Sequence, residues 1–170
     1  MSANDRVTLV TGGGRGIGAA TARLLAEEGV DVVVCYGRNV AGAEETAAAV
    51  RAAGRRAWVY ALDLRDAAAV AATVEQIGAE VGGLDALILN AGHNIVTPMM
   101  ETSTEEWDEI IAINLNGPFY LLKAATRPKR SRWCGRSSPP AGGPSPCRPT
   151  WPMPPPSRTC SSVSRPSSGR

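Results

Sequence analysis

The final part of this sequence lacks the residues that let a chain fold. From Arg127 to Arg170 there is no aspartate, glutamate, leucine, isoleucine or phenylalanine, whereas 11 of the 13 prolines lie there. Such a segment cannot bury enough apolar surface to offset the entropy lost on ordering. We therefore predict a folded half-domain over residues 1–125 and a disordered tail, rich in proline, arginine and serine, over residues 126–170.

Acidic residues are confined to the first part, so the net charge of +2 is a cancellation. Residues 1–125 hold 9 basic and 16 acidic residues, and the tail holds 9 basic residues alone. The tail charges are spread singly among Pro and Ser, without the clusters typical of nucleic-acid sites, and only Trp133 and Trp151 could stack on bases. Nucleic acid is therefore not expected as a partner.

Cysteines are few, and the long apolar runs of membrane proteins are absent. Cys134, Cys147 and Cys160 are too far apart for a Cys-x-x-Cys site and have no His near them, so no metal is expected. Cys35 lies in an apolar run and is predicted to be a small buried residue. Without a membrane span or a leader segment, we expect a cytoplasmic protein with no membrane partner.

Residues 1–125 alternate between apolar runs and helical patterns. This alternation is typical of a parallel sheet with crossover helices and predicts an α/β fold of the Rossmann type, doubly wound, with about four strands. The runs are Val7 to Val10, Val30 to Tyr36, Ala57 to Leu62 and Leu84 to Leu89.

The predicted helices have recognisable ends and apolar stripes. Gly29, Gly54 and Gly82 end the first three, and Asp66 can cap the third. Residues Ser103 to Glu106 fit a capping box. Two stripes recur at helical spacing: Ile17, Ala20, Leu24 and Leu25 in the first helix, and Trp107, Ile110, Ile111 and Leu115 on the inner face of the fourth.

A glycine-rich loop, Thr11 to Gly18, lies between the first strand and the first helix. Glycines let the backbone approach a pyrophosphate, which the positive end of the helix stabilises. The loop follows the pattern Thr-Gly-x-x-x-Gly-x-Gly through Thr11, Gly12, Gly16 and Gly18, with Arg15 and Ile17 between them. This resembles the short-chain dehydrogenase/reductase family, which has an extended Rossmann fold. The alternative is a glycine-rich turn with no ligand.

Two further motifs of the same family follow in order. Asp63 and Leu64 end the third strand, where the resemblance implies an Asp that contacts adenine. Asn90, Ala91 and Gly92 end the fourth strand and resemble the family's Asn-Asn-Ala-Gly, with Leu89 in place of the first Asn. The resemblance implies that this segment steadies the sheet and lines the nicotinamide side of the cofactor. Taken singly, each motif is also compatible with a polar turn.

The end of the second strand bears on the choice of cofactor. An acidic residue at this position hydrogen-bonds a free ribose 2′-hydroxyl. This sequence has Tyr36 there instead, and the next charged residue is Arg38. Together with Arg15, two guanidinium groups could flank a 2′-phosphate. We therefore predict NADP(H) as the preferred cofactor, with NAD(H) as the alternative in which both arginines are merely solvated or border the pyrophosphate.

Catalysis in the family is reversible hydride transfer between nicotinamide and a carbonyl or alcohol, using Asn, Ser, Tyr and Lys. Asn114 matches the family Asn. Pro118, four residues later, has no N–H to donate to the carbonyl of Asn114. The resemblance implies that this carbonyl holds a water in a proton relay; the alternative is an Asn in a kinked helix without function. His93, after the Asn-Ala-Gly turn, is interpreted as a loop residue.

The acid/base pair of the family is missing from the printed sequence. Tyrosine occurs only at Tyr36, Tyr60 and Tyr120, lysine only at Lys123 and Lys129, and no Tyr-x-x-x-Lys exists. We therefore predict that the chain as written is catalytically incompetent.

The tail reads as a GC-rich gene translated out of frame. When the codons are read again in triplets that begin on the third base of each codon, the triplet that spans Trp151 and Pro152 must encode alanine. The next triplet can encode tyrosine, and the triplet four places after the tyrosine can encode lysine. A serine is permitted thirteen triplets before the tyrosine, which reproduces the family spacing. We hypothesise a single frame shift between about Thr126 and Cys134.

The sequence of the fourth helix indicates which group of enzymes within the family this chain resembles most. Glu105 to Asp108, followed by Asn114 and Gly117, looks most like the 3-oxoacyl carrier-protein reductases, although sugar and steroid alcohol enzymes share the pattern. The resemblance implies a small carbonyl or alcohol substrate, and a homo-oligomer that a half-domain is not expected to form. The alternatives are a non-catalytic dinucleotide-binding remnant, or aggregation through the sheet edge at Leu87 to Leu89 and the apolar helix around Ile110.

Overall fold

The computed structural model describes residues 6–126. These residues belong to the first of two units of the chain, Met1–Arg136. The predictions for the tail, including its disorder, the proposed frame shift and Cys134, Cys147 and Cys160, lie outside the described residues.

Four parallel strands form one sheet in the order β3-β2-β1-β4. This order confirms the predicted Rossmann-type fold. The strands are β1 (Val7–Thr11), β2 (Asp31–Tyr36), β3 (Ala57–Ala61) and β4 (Ala86–Ile88). β4 is shorter than predicted because within the described residues it pairs with β1 alone, over three positions from Ala86 to Ile88.

Helices connect the strands and continue after β4. They are α1 (Gly16–Glu27), α2 (Val40–Ala52), α3 (Ala67–Val81), α4 (Thr104–Ile111), a π-helical turn (Ala112–Asn116) and α5 (Gly117–Ala125). Asp66 caps α3, and both hydrogen bonds of the capping box from Ser103 to Glu106 are present, as predicted. Gly29, Gly54 and Gly82 follow their helices with φ of 81°, 75° and 84°, which only glycine adopts readily.

Apolar side chains cover both faces of the sheet, as a doubly wound fold requires. One face packs Val10, Val32 and Val34 against alanines and Val50 of α1 and α2. The other packs strand residues against α3 and α5: Val7, Leu9, Val33 and Cys35 meet Val70, Ile77 and Leu121. Cys35 is 1% exposed, as predicted, and burial raises the pKa of its thiol to about 12, so it stays protonated.

The apolar stripe predicted for α1 is not its buried face. Ile17 and Leu24 are 78% and 59% exposed, whereas the buried residues are Gly18, Ala19, Ala22 and Ala26. Small residues let this helix lie close to the sheet, so Ile17 and Leu24 point outward, whereas Leu25 of the same stripe is partly buried against the core.

The inner face predicted for α4 is only partly covered within the described residues, where Ile110 and Ile111 are half-buried. Trp107 is 49% and Leu115 is 62% exposed, and no residue of α4 is buried. The helix forms, because the capping box and the apolar spacing are local signals. Part of its apolar side lacks a covering element within residues 6–126.

Candidate cofactor and active site

The loops after the four strands meet at the carboxyl edge of the sheet. β1 lies between β2 and β4, so the order of connection reverses between β1 and β4. Such a switch point opens a crevice at the carboxyl ends of the strands, where open α/β sheets bind ligands. The glycine loop follows β1, and the turn from Asn90 to Gly92 lies just beyond β4 on the other side of the crevice.

The glycine loop has a backbone conformation that strongly favours glycine. Gly12 and Gly16 have φ of 66° and 53°, in the left-handed region. A Cβ at Gly18 would overlap the carbonyl oxygen of Gly12, and one at Gly13 would lie 2.7 Å from Cγ1 of Val34. A Cβ at Gly16, in contrast, would meet nothing within 4 Å. The loop is therefore packed tightly on its protein side and open on the other, a cradle that fits a pyrophosphate.

Helix α1 differs from the next helices at its N-terminus. Asn39, Asp66 and Ser103 cap α2, α3 and α4 with their side chains, whereas Arg15 makes no such bond at α1 and its first turn has no acidic residue. The first N–H groups of α1 thus have no side-chain acceptor. A helix N-terminus in this state favours an anion.

Asn39 holds the glycine loop and was missed in the sequence analysis. Its Nδ2 donates to the carbonyl of Gly14 over 3.2 Å, while its Oδ1 accepts from the N–H of Gly42 over 3.1 Å. A Cβ at Gly42 would overlap the Gly14 carbonyl, so α2 and the loop approach closely. Its position before a predicted helix was a recognisable N-cap signal, but the contact to Gly14 is tertiary.

Thr11 joins the glycine loop to the turn after β4. Its Oγ1 accepts from the N–H groups of Asn90 and Ala91, each over 3.0 Å, and donates to the Ile88 carbonyl over 3.3 Å. The Asn90 Nδ2 donates to the Thr11 carbonyl over 3.0 Å. Thr11 is 2% exposed, so these bonds are shielded from water. Asn90 and Ala91 are thereby fixed beside the loop.

Asn114 is tied to the same turn from the opposite side. Its Oδ1 accepts from the N–H of His93 and its Nδ2 donates to the His93 carbonyl, each over 2.8 Å. A Cβ at Gly92 would lie 3.3 Å from the Asn114 Oδ1. The part played by the His93 backbone was not predicted, because main-chain groups leave no sequence signal.

The helix around Asn114 widens into the π-helical turn. The N–H of Gly117 donates to the carbonyl of Ala112, five residues back. Pro118 has no N–H for the carbonyl of Asn114, which removes one α-helical bond at this point. Turns of this kind occur often at functional sites.

The turn after β3 places Asp63 at the edge and Leu64 inside. Arg65 donates to Asp63 through its backbone N–H and its guanidinium, which lowers the pKa of the Asp63 carboxyl to about 2. Leu64 is 7% exposed and packs below Gly117, where a Cβ would lie 2.6 Å from that of Leu64. Because its side chain is buried, Leu64 can contact a ligand only through its main chain.

Arg15 and Arg38 are both exposed, and neither forms an ion pair within residues 6–126. Tyr36 ends β2 and is half-buried. An open cleft of about 500 Å³ lies beside the loop, with Gly14, Arg15 and Asn39 among its lining residues. Ile17 is exposed at the start of α1 and offers an apolar surface there.

Neither a metal cluster nor a membrane-spanning helix is present in the described residues. No group of three or more His, Cys, Asp or Glu residues is arranged to hold a metal ion there. Nor does any helix within residues 6–126 have the length and apolar character to cross a membrane.

Comparison with known proteins agrees with the fold. The family model described as short chain dehydrogenase matches residues 6–135. A cis-4-hydroxycyclohexanecarboxylate dehydrogenase of Sinomonas cyclohexanicum is 44% identical over 124 residues, which cover 72% of this chain and 49% of that protein. The 3-oxoacyl-[acyl-carrier-protein] reductase FabG of Staphylococcus aureus is 36% identical over 118 residues, or 69% and 48% of the two chains.

Solved structures show the same likeness. A metagenomic short-chain oxidoreductase in complex with NADP has a TM-score of 0.68 and 38% identity over 73% of this chain and 56% of that one. A Burkholderia cenocepacia short chain dehydrogenase in complex with NADP has a TM-score of 0.70 and 34% identity over 74% and 51%. The chain spans about half the length of the curated relatives it matches. By the matched span, the sheet order and the glycine loop, it belongs to the short-chain dehydrogenase/reductase family.

Proposed function

We propose that this chain is the cofactor-binding half of an NADP(H)-dependent oxidoreductase that reduces a carbonyl to an alcohol. The observation that carries the proposal is the cradle formed by Gly12, Gly16 and Gly18 at the uncapped N-terminus of α1. A nicotinamide dinucleotide bound there would supply or accept the hydride. The residues of this chain would bind it, orient it and position a proton relay.

The preference for NADP(H) over NAD(H) rests on charge at the end of β2. Tyr36 replaces the acid that would accept from a ribose 2′-hydroxyl, and the exposed Arg15 and Arg38 are available to a 2′-phosphate. Two structures similar to this chain contain NADP. A chain with equal affinity for NADPH and NADH would contradict this preference.

We assign the roles in the site as follows. Gly12, Arg15, Gly16, Ile17 and Gly18 contact the phosphates and adjoining ribose, and Asp63 with the Leu64 main chain contacts the adenine. Thr11 is buried and serves the cofactor site by holding the glycine loop against the Asn90 turn. Asn90, Ala91 and Gly92 line the nicotinamide side. The carbonyl of Asn114, without an N–H from Pro118, accepts a hydrogen bond from a water in the proton relay.

The substrate class to test first is a 3-oxoacyl thioester, since FabG is among the relatives. The printed sequence has no Tyr-x-x-x-Lys, so the 170-residue chain should bind cofactor without turnover. The second candidate, a non-catalytic dinucleotide-binding remnant, predicts the same binding. Sequencing the coding DNA distinguishes the oxidoreductase hypothesis from the remnant hypothesis. Codons at Pro152 and Pro156 that cannot yield Tyr and Lys in the shifted frame would contradict the oxidoreductase hypothesis.

We place the protein in the cytoplasm with a small-molecule carbonyl or alcohol as its partner. Intact members would assemble as homo-oligomers, whereas this half-domain is proposed to lack that assembly. Expression of the frame-corrected gene, followed by an NADPH oxidation assay with 3-oxoacyl thioesters, tests both the activity and the substrate class.

A binding titration tests the cofactor site itself. NADPH should saturate the 170-residue chain, and Gly18→Ala should abolish binding because its Cβ overlaps the Gly12 carbonyl oxygen. Gly78→Ala is the matched control, since a Cβ at Gly78 in α3 meets nothing within 4 Å. This control should bind NADPH normally and gain stability of about 1 kcal/mol from helix propensity. Unchanged NADPH affinity in Gly18→Ala would contradict the proposed site.

A further inference from the structure

Arg65 holds the carboxylate of Asp63 in the turn after β3. The backbone N–H and the Nε of Arg65 donate to Oδ1 over 3.0 and 2.9 Å, and Nη2 donates to Oδ2 over 2.7 Å. On its far side, Nη1 of Arg65 lies 3.6 Å from Oε1 of Glu109 in α4. The guanidinium thus bridges α4 and Asp63 and fixes the plane of the carboxylate.

The hydrogen bonds from Arg65 leave one acceptor position open. A carboxylate offers about four lone-pair positions. Arg65 takes two at Oδ1 and one at Oδ2, so the remaining position belongs to Oδ2. The Asp63 side chain is 48% exposed, so this position can be reached by a ligand at the carboxyl edge. One carboxylate lone pair suits one N–H donor, such as that of the 6-amino group of adenine.

We propose that Arg65 is a positioning residue that aims the free lone pair of the Asp63 Oδ2 at the adenine amino group. The inference rests on the proposed function, because it requires a dinucleotide at this edge. Arg65 suits the task because its planar fork fixes a carboxylate, whereas a lysine supplies a point charge without fixing the plane. A merely electrostatic role would instead strengthen the binding of every phosphate-bearing cofactor equally.

The experiment compares two cofactors that differ at one group. The dissociation constants of the 170-residue chain are measured for NADPH and for its deamino analogue, in which hypoxanthine replaces adenine and a carbonyl oxygen replaces the amino group. Because one charge-assisted hydrogen bond is at stake, the wild type should prefer NADPH by about tenfold. Asp63→Ala should reduce this ratio to about one, and Arg65→Gln to about two.

Further variants separate geometry from charge. Arg65→Lys keeps the charge but not the fork, and its ratio should also fall below that of the wild type. Adding Arg65→Gln to Asp63→Ala should lower the ratio no further, because Arg65 acts through Asp63. Arg51→Gln is the matched control: Arg51 is 51% exposed, close to the 53% of Arg65, and contacts Glu44 away from the site. Its ratio should equal that of the wild type.

The ratio of the two dissociation constants in each variant decides whether Arg65 positions Asp63. A wild-type ratio in both Arg65 variants, or an equal loss of affinity for both cofactors, would overturn the positioning role while leaving cofactor binding intact. If the wild type binds neither cofactor, the proposed function and this inference fall together. Circular dichroism of each variant confirms that the fold is retained, which is expected since Arg65 is half-exposed.

Discussion

Asn114 shows how one side chain can organise a site through backbone contacts. Both ends of its amide are bonded to the main chain of His93, so the loop after β4 is fixed to the π-helical turn. The same residue offers a carbonyl that Pro118 cannot satisfy. Its side chain and its carbonyl therefore serve different purposes.

Replacing Asn114 by Ala removes two hydrogen bonds of 2.8 Å. The free energy of unfolding should fall by about 1 to 3 kcal/mol, since each of the two hydrogen bonds contributes about 0.5 to 1.5 kcal/mol net. Urea unfolding followed by circular dichroism measures this. Asn116→Ala, in the same turn and exposed, is the control and should change stability by less than about 0.5 kcal/mol. Equal effects of the two variants would contradict the assignment.

Tyr60 gives a prediction about alkaline pH. Burial and the hydrogen bond to Glu80, 2.5 Å from its hydroxyl, raise the pKa of Tyr60 above its usual value near 10. The folded state therefore keeps the proton after the unfolded state has lost it. The stability contributed by the neutral phenol is fully present below about pH 10 and is lost as the pH rises further.

Unfolding by urea at several pH values measures this dependence. Between about pH 9 and 11, the wild type should lose more unfolding free energy than Tyr60→Phe, which has no phenol to ionise. At neutral pH the variant should be less stable by about 1 kcal/mol, because the bond to Glu80 is gone. Parallel pH profiles would contradict the interpretation.

Among the elements, β1 and β4 define the crevice, and Thr11 joins them. Its hydroxyl accepts two backbone N–H groups that no strand satisfies, because the chain turns away after Ile88. The position of the Asn90 turn thus depends on a buried hydroxyl in the neighbouring strand.

Thr11→Val keeps the shape but leaves those two N–H groups without an acceptor. We expect the free energy of unfolding to fall by about 2 to 6 kcal/mol and NADPH to bind more weakly, since each unsatisfied buried N–H group costs about 1 to 3 kcal/mol. Thr46→Val is the control: Thr46 is also buried, but its hydroxyl only donates to the Gly42 carbonyl in its own helix. That variant should lose less than about 1 kcal/mol. Chemical unfolding distinguishes the two.

For the whole molecule, the notable feature is apolar surface on α4, the π-helical turn and α5. Trp107, Leu115, Phe119 and Leu122 are 49%, 62%, 57% and 45% exposed. β4 also has one strand neighbour only within the described residues. Exposed apolar faces and open strand edges favour association.

We predict that the chain associates nonspecifically through this face, without forming the defined homo-oligomer of intact members, and that Leu115→Glu with Phe119→Glu lowers its apparent mass. Charge on this face opposes the burial that drives association. Sedimentation velocity at several protein concentrations measures the effect. Val40→Glu, at an equally exposed apolar residue on α2, is the control and should leave the distribution unchanged. If both variants behave alike, association occurs elsewhere.

Much of the fold follows from local signals. The four strand and helix alternations, the cap at Asp66 and the capping box from Ser103 were predicted because each depends on neighbouring residues. The buried face of α1 was not, since alanines rather than Ile17 and Leu24 contact the sheet. Hydrophobicity alone does not tell which face of a helix approaches closely.

The alternating α/β pattern, the glycine loop and the lack of a Tyr-x-x-x-Lys can be read from residue type and spacing alone. Folding is needed for Thr11 to hold Asn90, for Asn114 to bind the backbone of His93, and for Arg65 to leave one lone pair of Asp63 open. Two of these contacts join segments far apart in the chain, and all three depend on atomic positions that residue spacing alone does not specify.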